Sequence, residues 1–127
     1  MSAPPGPVCP GCRRRMRLEL VASGVLRKVW RCPRWPLCDY LCSAHADGRP
    51  MGVPADQPTR AARARLHAVF DRLWTSGKLT RAQAYTFLAA VTDLSKDQAH
   101  ISRFDKATCE ALIDVLIQTF PWLKSDD

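Results

Sequence analysis

Cysteine placement constrains this chain more than any other feature. Five of its six cysteines, Cys9, Cys12, Cys32, Cys38 and Cys42, crowd the first third, and Cys109 stands far from them. Cys9-Pro10-Gly11-Cys12 puts two thiols on one tight turn, with Pro and Gly suited to its backbone. Nineteen residues then separate Cys12 from Cys32, a spacing at which a hairpin brings a second ligand pair back to the first. Zn²⁺ takes four thiolates tetrahedrally, and a short Cys-to-Cys spacing lets one turn supply two of them. Disulfides are the other use of such a set. The start of the chain lacks a basic stretch followed by an apolar one, and no run of 18 apolar residues exists. The expected compartment is therefore the cytoplasm, with no membrane contact, where thiols stay reduced and cysteine clusters hold metal. A unit this small also buries too little surface to be stable unaided, and a metal is the usual remedy.

Cys9, Cys12 and Cys32 follow directly as ligands. The second pair is irregular. Cys32-Pro33-Arg34-Trp35-Pro36-Leu37-Cys38 has five intervening residues, and Cys42 and His45 stand close by as rivals for fourth place. Between the pairs, Leu18–Val21 and Val25–Arg31 read as two short strands, with Ala22-Ser23-Gly24 as their turn. Residues 1–8 read as a flexible, Pro-rich lead-in, residues 9–45 as the metal-bearing unit and residues 46–58, with three Pro and two Gly, as a linker loop.

From Thr59 the apolar period becomes helical. Leu66, Val69, Phe70, Leu73 and Trp74 make one stripe, and Gly77 ends it. Thr80-Arg81-Ala82-Gln83 is a capping box that opens a second helix, and Ser95-Lys96-Asp97-Gln98 repeats the pattern. A last helix is expected from about Asp105, its cap, to Phe120, with Cys109 in its apolar stripe and Pro121 as its stop. These stripes are too short to be stable singly and must bury against one another or the ribbon. The expected fold is α+β: a four-cysteine zinc ribbon built on a short β-hairpin, then a three- to four-helix unit over 59–123.

Two family resemblances extend this. Arg31-Cys32-Pro33-Arg34-Trp35-Pro36-Leu37-Cys38-Asp39-Tyr40 resembles the second half of the zinc ribbons at the C-terminus of bacterial type IA topoisomerases, with Trp35 and Pro33 as mild departures. That resemblance covers about residues 8–42 and implies Cys32 and Cys38 as the second pair. Cys9, Cys12, Cys32 and Cys38 would then hold one structural zinc. The second resemblance spans both parts in order: Cys38-Asp39, His45, Pro50-Met51-Gly52, Ala55-Asp56, Arg60, Arg63, His67, Phe70-Asp71, Leu73-Trp74, Ala84-Tyr85, Leu88-Ala89, His100-Ile101, Phe104-Asp105 and Cys109. In these stretches the chain is similar to a family of small phage and prophage proteins described as a zinc-finger-containing domain. It implies a two-part architecture and a phage-like origin, and names no substrate.

The net charge of +7 is uneven. Residues 1–50 hold nine Lys and Arg against three acids, and residues 57–81 hold six against Asp71 alone. Residues 82–127 hold four against seven acids. A basic ribbon and first helix favour polyanions, nucleic acid first. The candidate contacts are Arg13, Arg14, Arg15, Arg17, Lys28, Arg31 and Arg34 for phosphates, Trp35 and Tyr40 for stacking on bases, and Arg60 and Arg63 on the first helix. Trp30 is equally suited to stacking or to packing. Topoisomerase ribbons are thought to hold single-stranded DNA in this way, so the resemblance implies DNA ahead of RNA. Catalysis is not expected. Four thiolates leave zinc no open position, no His-Glu-x-x-His or deaminase pattern is present, and neither His67 nor His100 has a nucleophile arranged around it. The rival function is an adaptor or inhibitor that binds a host protein.

Overall fold

Alternating apolar residues on either side of a short turn make the hairpin. In the computed structural model, which describes residues 6–23, 25–95 and 98–124, β1 (Arg17–Ser23) pairs antiparallel with β2 (Val25–Arg31). Gly24 of the expected turn lies outside the described residues. A third strand, β3 (Leu41–Ser43), adds to the far side of β2, giving the order β1-β2-β3. Leu18, Trp30 and Cys42 stand directly opposite one another across the three strands and therefore share one face. That face, with Cys9, Met16 and Cys32, makes the core of the first unit.

Of the expected linker, residues 46–56 are bound into this unit. Ala44 bridges Pro50, and Leu41 bridges Ala55 through two backbone hydrogen bonds of 3.1 Å. Trp30 is buried, and its indole N–H donates to the Gly48 carbonyl at 2.8 Å. Trp30 is therefore a core residue of the ribbon, satisfied at its one polar atom, and not a stacking platform. Residues 1–5 of the expected lead-in lie outside the described residues, while Val8 bridges Arg15 and Pro7 accepts from Met16.

The second unit begins at Pro58. α1 (Gln57–Thr75) buries Ala62, Leu66, Phe70 and Leu73, the stripe that its sequence carries at helical spacing. Gly77 follows at φ +82, a left-handed conformation that glycine adopts without strain. α2 (Arg81–Thr92) opens on the capping box: Gln83 N–H donates to Thr80 Oγ1 at 3.1 Å, and Thr80 N–H donates to Gln83 Oε1 at 2.9 Å. Ser95 and Gln98 make the same reciprocal bonds at 3.3 and 3.5 Å, with Lys96 and Asp97 outside the described residues. A short 3-10 turn (Ile101–Arg103) precedes α3 (Lys106–Thr119), capped by Asp105 through the Thr108 N–H at 2.8 Å. Pro121 ends α3 and begins a second 3-10 turn, Pro121–Lys124. Leu66, Phe70, Leu88, Cys109, Leu112 and Leu116 fill the centre, so Cys109 is a core thiol. Among the described residues no helix is long and apolar enough to cross a membrane.

Candidate metal centre

Two knuckles converge under the hairpin. In the first, Arg13 N–H donates to the Cys9 carbonyl and Cys9 N–H to the Arg14 carbonyl, both at 2.8 Å. The left-handed residue of this turn is Arg13, at φ 64, rather than Gly11. Gly11 is needed for a different reason. A Cβ there would lie 2.5 Å from Cε1 and 2.9 Å from Cδ1 of Tyr40, whose ring packs against the knuckle backbone. In the second knuckle, Trp35 N–H donates to the Cys32 carbonyl at 3.0 Å and Cys38 N–H to the Arg34 carbonyl at 3.1 Å. The wide Cys32–Cys38 spacing is thus closed by a turn of its own that brings both thiols back to one point.

The Sγ atoms of Cys9, Cys12, Cys32 and Cys38 all lie within 4.8 Å of one another. Cys9 and Cys38 are 3.5 Å apart, and Cys12 and Cys32 are 3.2 Å apart. Zn–S bonds of about 2.3 Å place tetrahedral sulfurs roughly 3.8 Å apart, so a zinc ion fits this cage. Among the described residues, no other group of three or more His, Cys, Asp or Glu comes together in this way. Cys42 faces Trp30 across the sheet and is buried there. His45 is exposed, and its backbone closes a loop by accepting from Gly48 N–H at 2.9 Å and donating to the Arg49 carbonyl at 2.8 Å. Neither rival joins the cluster. Cys9 and Cys32 are buried, while Cys12 and Cys38 are half-buried.

Four thiols so close cannot all ionise without a cation. The Arg14 backbone N–H, then the Cys32 thiol, hold Cys12 down to about 7. Burial pushes Cys38 up to about 12 and raises Cys32 as well. A divalent ion reverses this balance by drawing all four into the thiolate form. Residues 9–119 match the model of a family described as a zinc-finger-containing domain. The chain belongs to that family. No curated protein and no solved structure matches it. In this zinc-finger-containing domain, Cys9, Cys12, Cys32 and Cys38 form one zinc-binding site.

The basic candidates are disposed unequally around the site. Arg13, Arg14, Arg15, Arg17 and Arg34 are exposed, and Arg15 Nη1 donates to the Gly6 carbonyl at 2.9 Å. Lys28 Nζ reaches the Ala46 carbonyl at 3.0 Å. Arg31 grips Glu19 with two bonds of 2.8 and 2.9 Å, which lowers the Glu19 carboxyl and raises the guanidinium. The same guanidinium lies 5.2 Å from the centre of the Trp35 ring, and Trp35 is 36% exposed. Arg17 pairs with Arg31 across the hairpin and so shares its face. Tyr40 is half-buried, and burial, then the Asp56 charge, raise its hydroxyl. Arg60 and Arg63 lie in the second unit, half-buried, and Arg63 Nε donates to the Phe104 carbonyl at 2.7 Å. His67 Nδ1 meets Asp71 Oδ2 at 3.0 Å, one helical turn apart.

Sequence reasoning passed over two features. Leu37, at the tip of the second knuckle, is 87% exposed. A cavity of about 260 Å³ beside the zinc ligands is lined by Gly11, Cys12, Arg34, Leu37, Cys38, Asp39, Tyr40 and Asp56. Asp56 carries no sequence signal for this place, because it sits in a stretch whose Pro and Gly read as linker.

Proposed function

We propose that this protein is a non-enzymatic, cytoplasmic nucleic-acid-binding module for single strands, DNA ahead of RNA. One observation carries the reading: Trp35, held on a zinc-stapled knuckle, is exposed beneath the Arg31 guanidinium, with Arg17 on the same strand-pair face. An aromatic ring beside a guanidinium is a surface on which an unpaired base stacks, and flanking cations track its phosphates. Arg13, Arg14, Arg15, Arg17 and Arg34 are the exposed cations nearest in sequence to the two knuckles, and Arg15 also donates to the Gly6 carbonyl. Arg15, Lys28 and Arg31 would contribute field while holding the fold together, and Tyr40 and Arg63 have mainly packing roles. The zinc supplies rigidity, since four thiolates leave it no open position for water. The phage or prophage origin and the topoisomerase-like mode of holding DNA belong to the same proposal and rest on the resemblances.

The test is fluorescence anisotropy with a labelled single-stranded oligonucleotide over a range of salt. Four neutralised phosphates give a slope of log K against log salt of about −3. Absence of binding at low salt would sink the reading.

A second reading, an adaptor or inhibitor of a host protein, draws on a groove in the helical unit. Its volume is about 500 Å³, and Val91, Leu94, Phe104, Leu112 and Val115 line it with Arg103 and Asp105. Val91 and Leu94 are exposed. A stoichiometric partner retained from host lysate after nuclease treatment would favour this reading.

A further inference from the structure

We infer that the turn between α1 and α2 carries a second single-strand contact surface, on which Lys78 and Arg81 meet phosphates beside half-buried aromatic rings. The inference rests on the nucleic-acid reading above and adds a contact on the helical unit to those on the ribbon.

Unbalanced charge is the first reason. Residues 57–81 hold six cations against Asp71 alone, and Asp71 already meets His67 at 3.0 Å. Arg60, Arg63 and Arg72 are half-buried and engaged within the fold. Arg63 Nε donates to the Phe104 carbonyl at 2.7 Å, and Arg72 Nη1 to the Leu123 carbonyl at 2.8 Å. Lys78 and Arg81 are exposed, and among the described residues neither pairs with a carboxylate. Arg81 is also the first residue of α2, where the peptide dipoles already concentrate positive charge, and no acid stands in that turn. A cation there works against the helix, so helix stability does not account for it. The Thr80–Gln83 box serves the start of α2, and the proposed surface is one of side chains.

The rings decide which polyanion fits. Arg81 Cζ lies 5.3 Å from the centre of the Tyr85 ring and 5.8 Å from that of Trp74. Lys78 Nζ lies 5.0 Å from the centre of the Trp122 ring. This repeats, in the helical unit, the pairing of Arg31 with Trp35 in the ribbon. All three rings are half-buried against the helical core, Tyr85 edge-on to Phe70 at 5.0 Å and Trp122 to Phe120 at 6.3 Å. The turn is fixed as well: Gly77 N–H donates to the Trp74 carbonyl at 3.2 Å, and Leu79 N–H to the Leu73 carbonyl at 3.0 Å. A surface seated in this way needs little ordering to meet a ligand. Lys78 and Arg81 are three residues apart, so at most about 11 Å separates their Cα atoms, and one short strand reaches both. Unpaired bases stack on arginine planes as well as on aromatic rings, and neighbouring cations then take the phosphates. An acidic protein segment would answer the cations and leave the rings unused.

The test is anisotropy on the full chain with an oligothymidine and with an abasic strand of equal length. Lys78→Gln combined with Arg81→Gln removes two phosphate contacts, so the slope of log K against log salt is expected to shrink by about 1.4. Arg81→Glu separates binding from folding, because an acid in the first turn of α2 suits the helix dipole. Its oligothymidine affinity should fall about tenfold while its melting temperature holds or rises. The oligothymidine should bind wild type more tightly than the abasic strand, and Arg81→Glu should narrow that gap. Unchanged affinity and slope in the double variant overturn this surface and leave ribbon binding standing. No binding by wild type overturns both. A lower melting temperature for Arg81→Glu with unchanged affinity assigns the cation to packing and overturns the surface. A gap between the two strands that Arg81→Glu leaves unchanged marks a surface for any polyanion, an acidic protein segment included, and overturns the single-strand assignment.

Discussion

The Arg31 guanidinium lies over the Trp35 ring, its Cζ 5.2 Å from the ring centre, while two of its N–H groups are committed to Glu19. The ion pair fixes the guanidinium, and the guanidinium fixes one side of the tryptophan. Exposed ion pairs contribute little to stability by themselves, so the value of this one is positional. Trp35→Ala removes the ring and leaves the zinc ligands alone. Single-strand affinity is expected to fall by about 1–3 kcal/mol, or roughly 5- to 150-fold. Anisotropy measures it, with metal analysis returning one zinc per chain.

The ligand set makes a second prediction. Cys9→Ser should lose the bound zinc, whereas Cys42→Ser should keep it, because Cys42 faces Trp30 and stands apart from the four clustered sulfurs. Cys42→Ser places a hydroxyl in an apolar core and costs about 1–3 kcal/mol of stability. Zinc stoichiometry separates the two variants. A chelator added to wild type should unfold the first unit and spare most of the far-ultraviolet helical signal, since the helices bury a core of their own.

Gly11→Ala tests the packing of the first knuckle. The new methyl would stand 2.5 Å from Tyr40 Cε1 and 3.4 Å from Cys38 Sγ. The ring must move, and overpacking of this kind costs about 1–3 kcal/mol. Weaker zinc retention against a competing chelator is the expected result. Arg13→Gly should be tolerated or mildly stabilising at the same knuckle, because its φ of 64 favours glycine.

Asp105 sets a pH dependence in the helical unit. Hydrogen bonds from the Thr108 side chain and then its backbone N–H hold the Asp105 carboxyl below its ordinary value. A carboxyl lowered in the folded state contributes stability above the ordinary carboxylate range. That contribution is lost as pH falls through the lowered value. Asp105→Ala should cost about 1 kcal/mol at neutral pH and almost nothing in strong acid. Thermal unfolding followed by circular dichroism at both pH values checks it.

Local chemistry made much of this molecule legible in advance. The hairpin strands, the α1 stripe through Leu66, Phe70 and Leu73, the Thr80–Gln83 box and the Asp105 cap all rest on interactions within a few residues, and all are present. Cys9, Cys12 and Cys32 are readable from spacing, while Cys38 takes fourth place chiefly from a resemblance. Cys42 and His45 were equally near in sequence, and choosing among the three depends on how the second knuckle turns. β3 is only three residues long, too short to announce itself, and exists because β2 and the Ala55 segment pair with it from either side.

The sequence by itself determined that this chain would gather thiolates around zinc and stack helices, because metal preference, helical period and capping are local properties. The tertiary structure decided which cysteines share the ion, that Trp30 is buried while Trp35 is exposed beneath Arg31, and that Asp56 lines a cavity with Tyr40 and Arg34. Most of those outcomes join residues far apart in sequence, and only the folded chain brings them together.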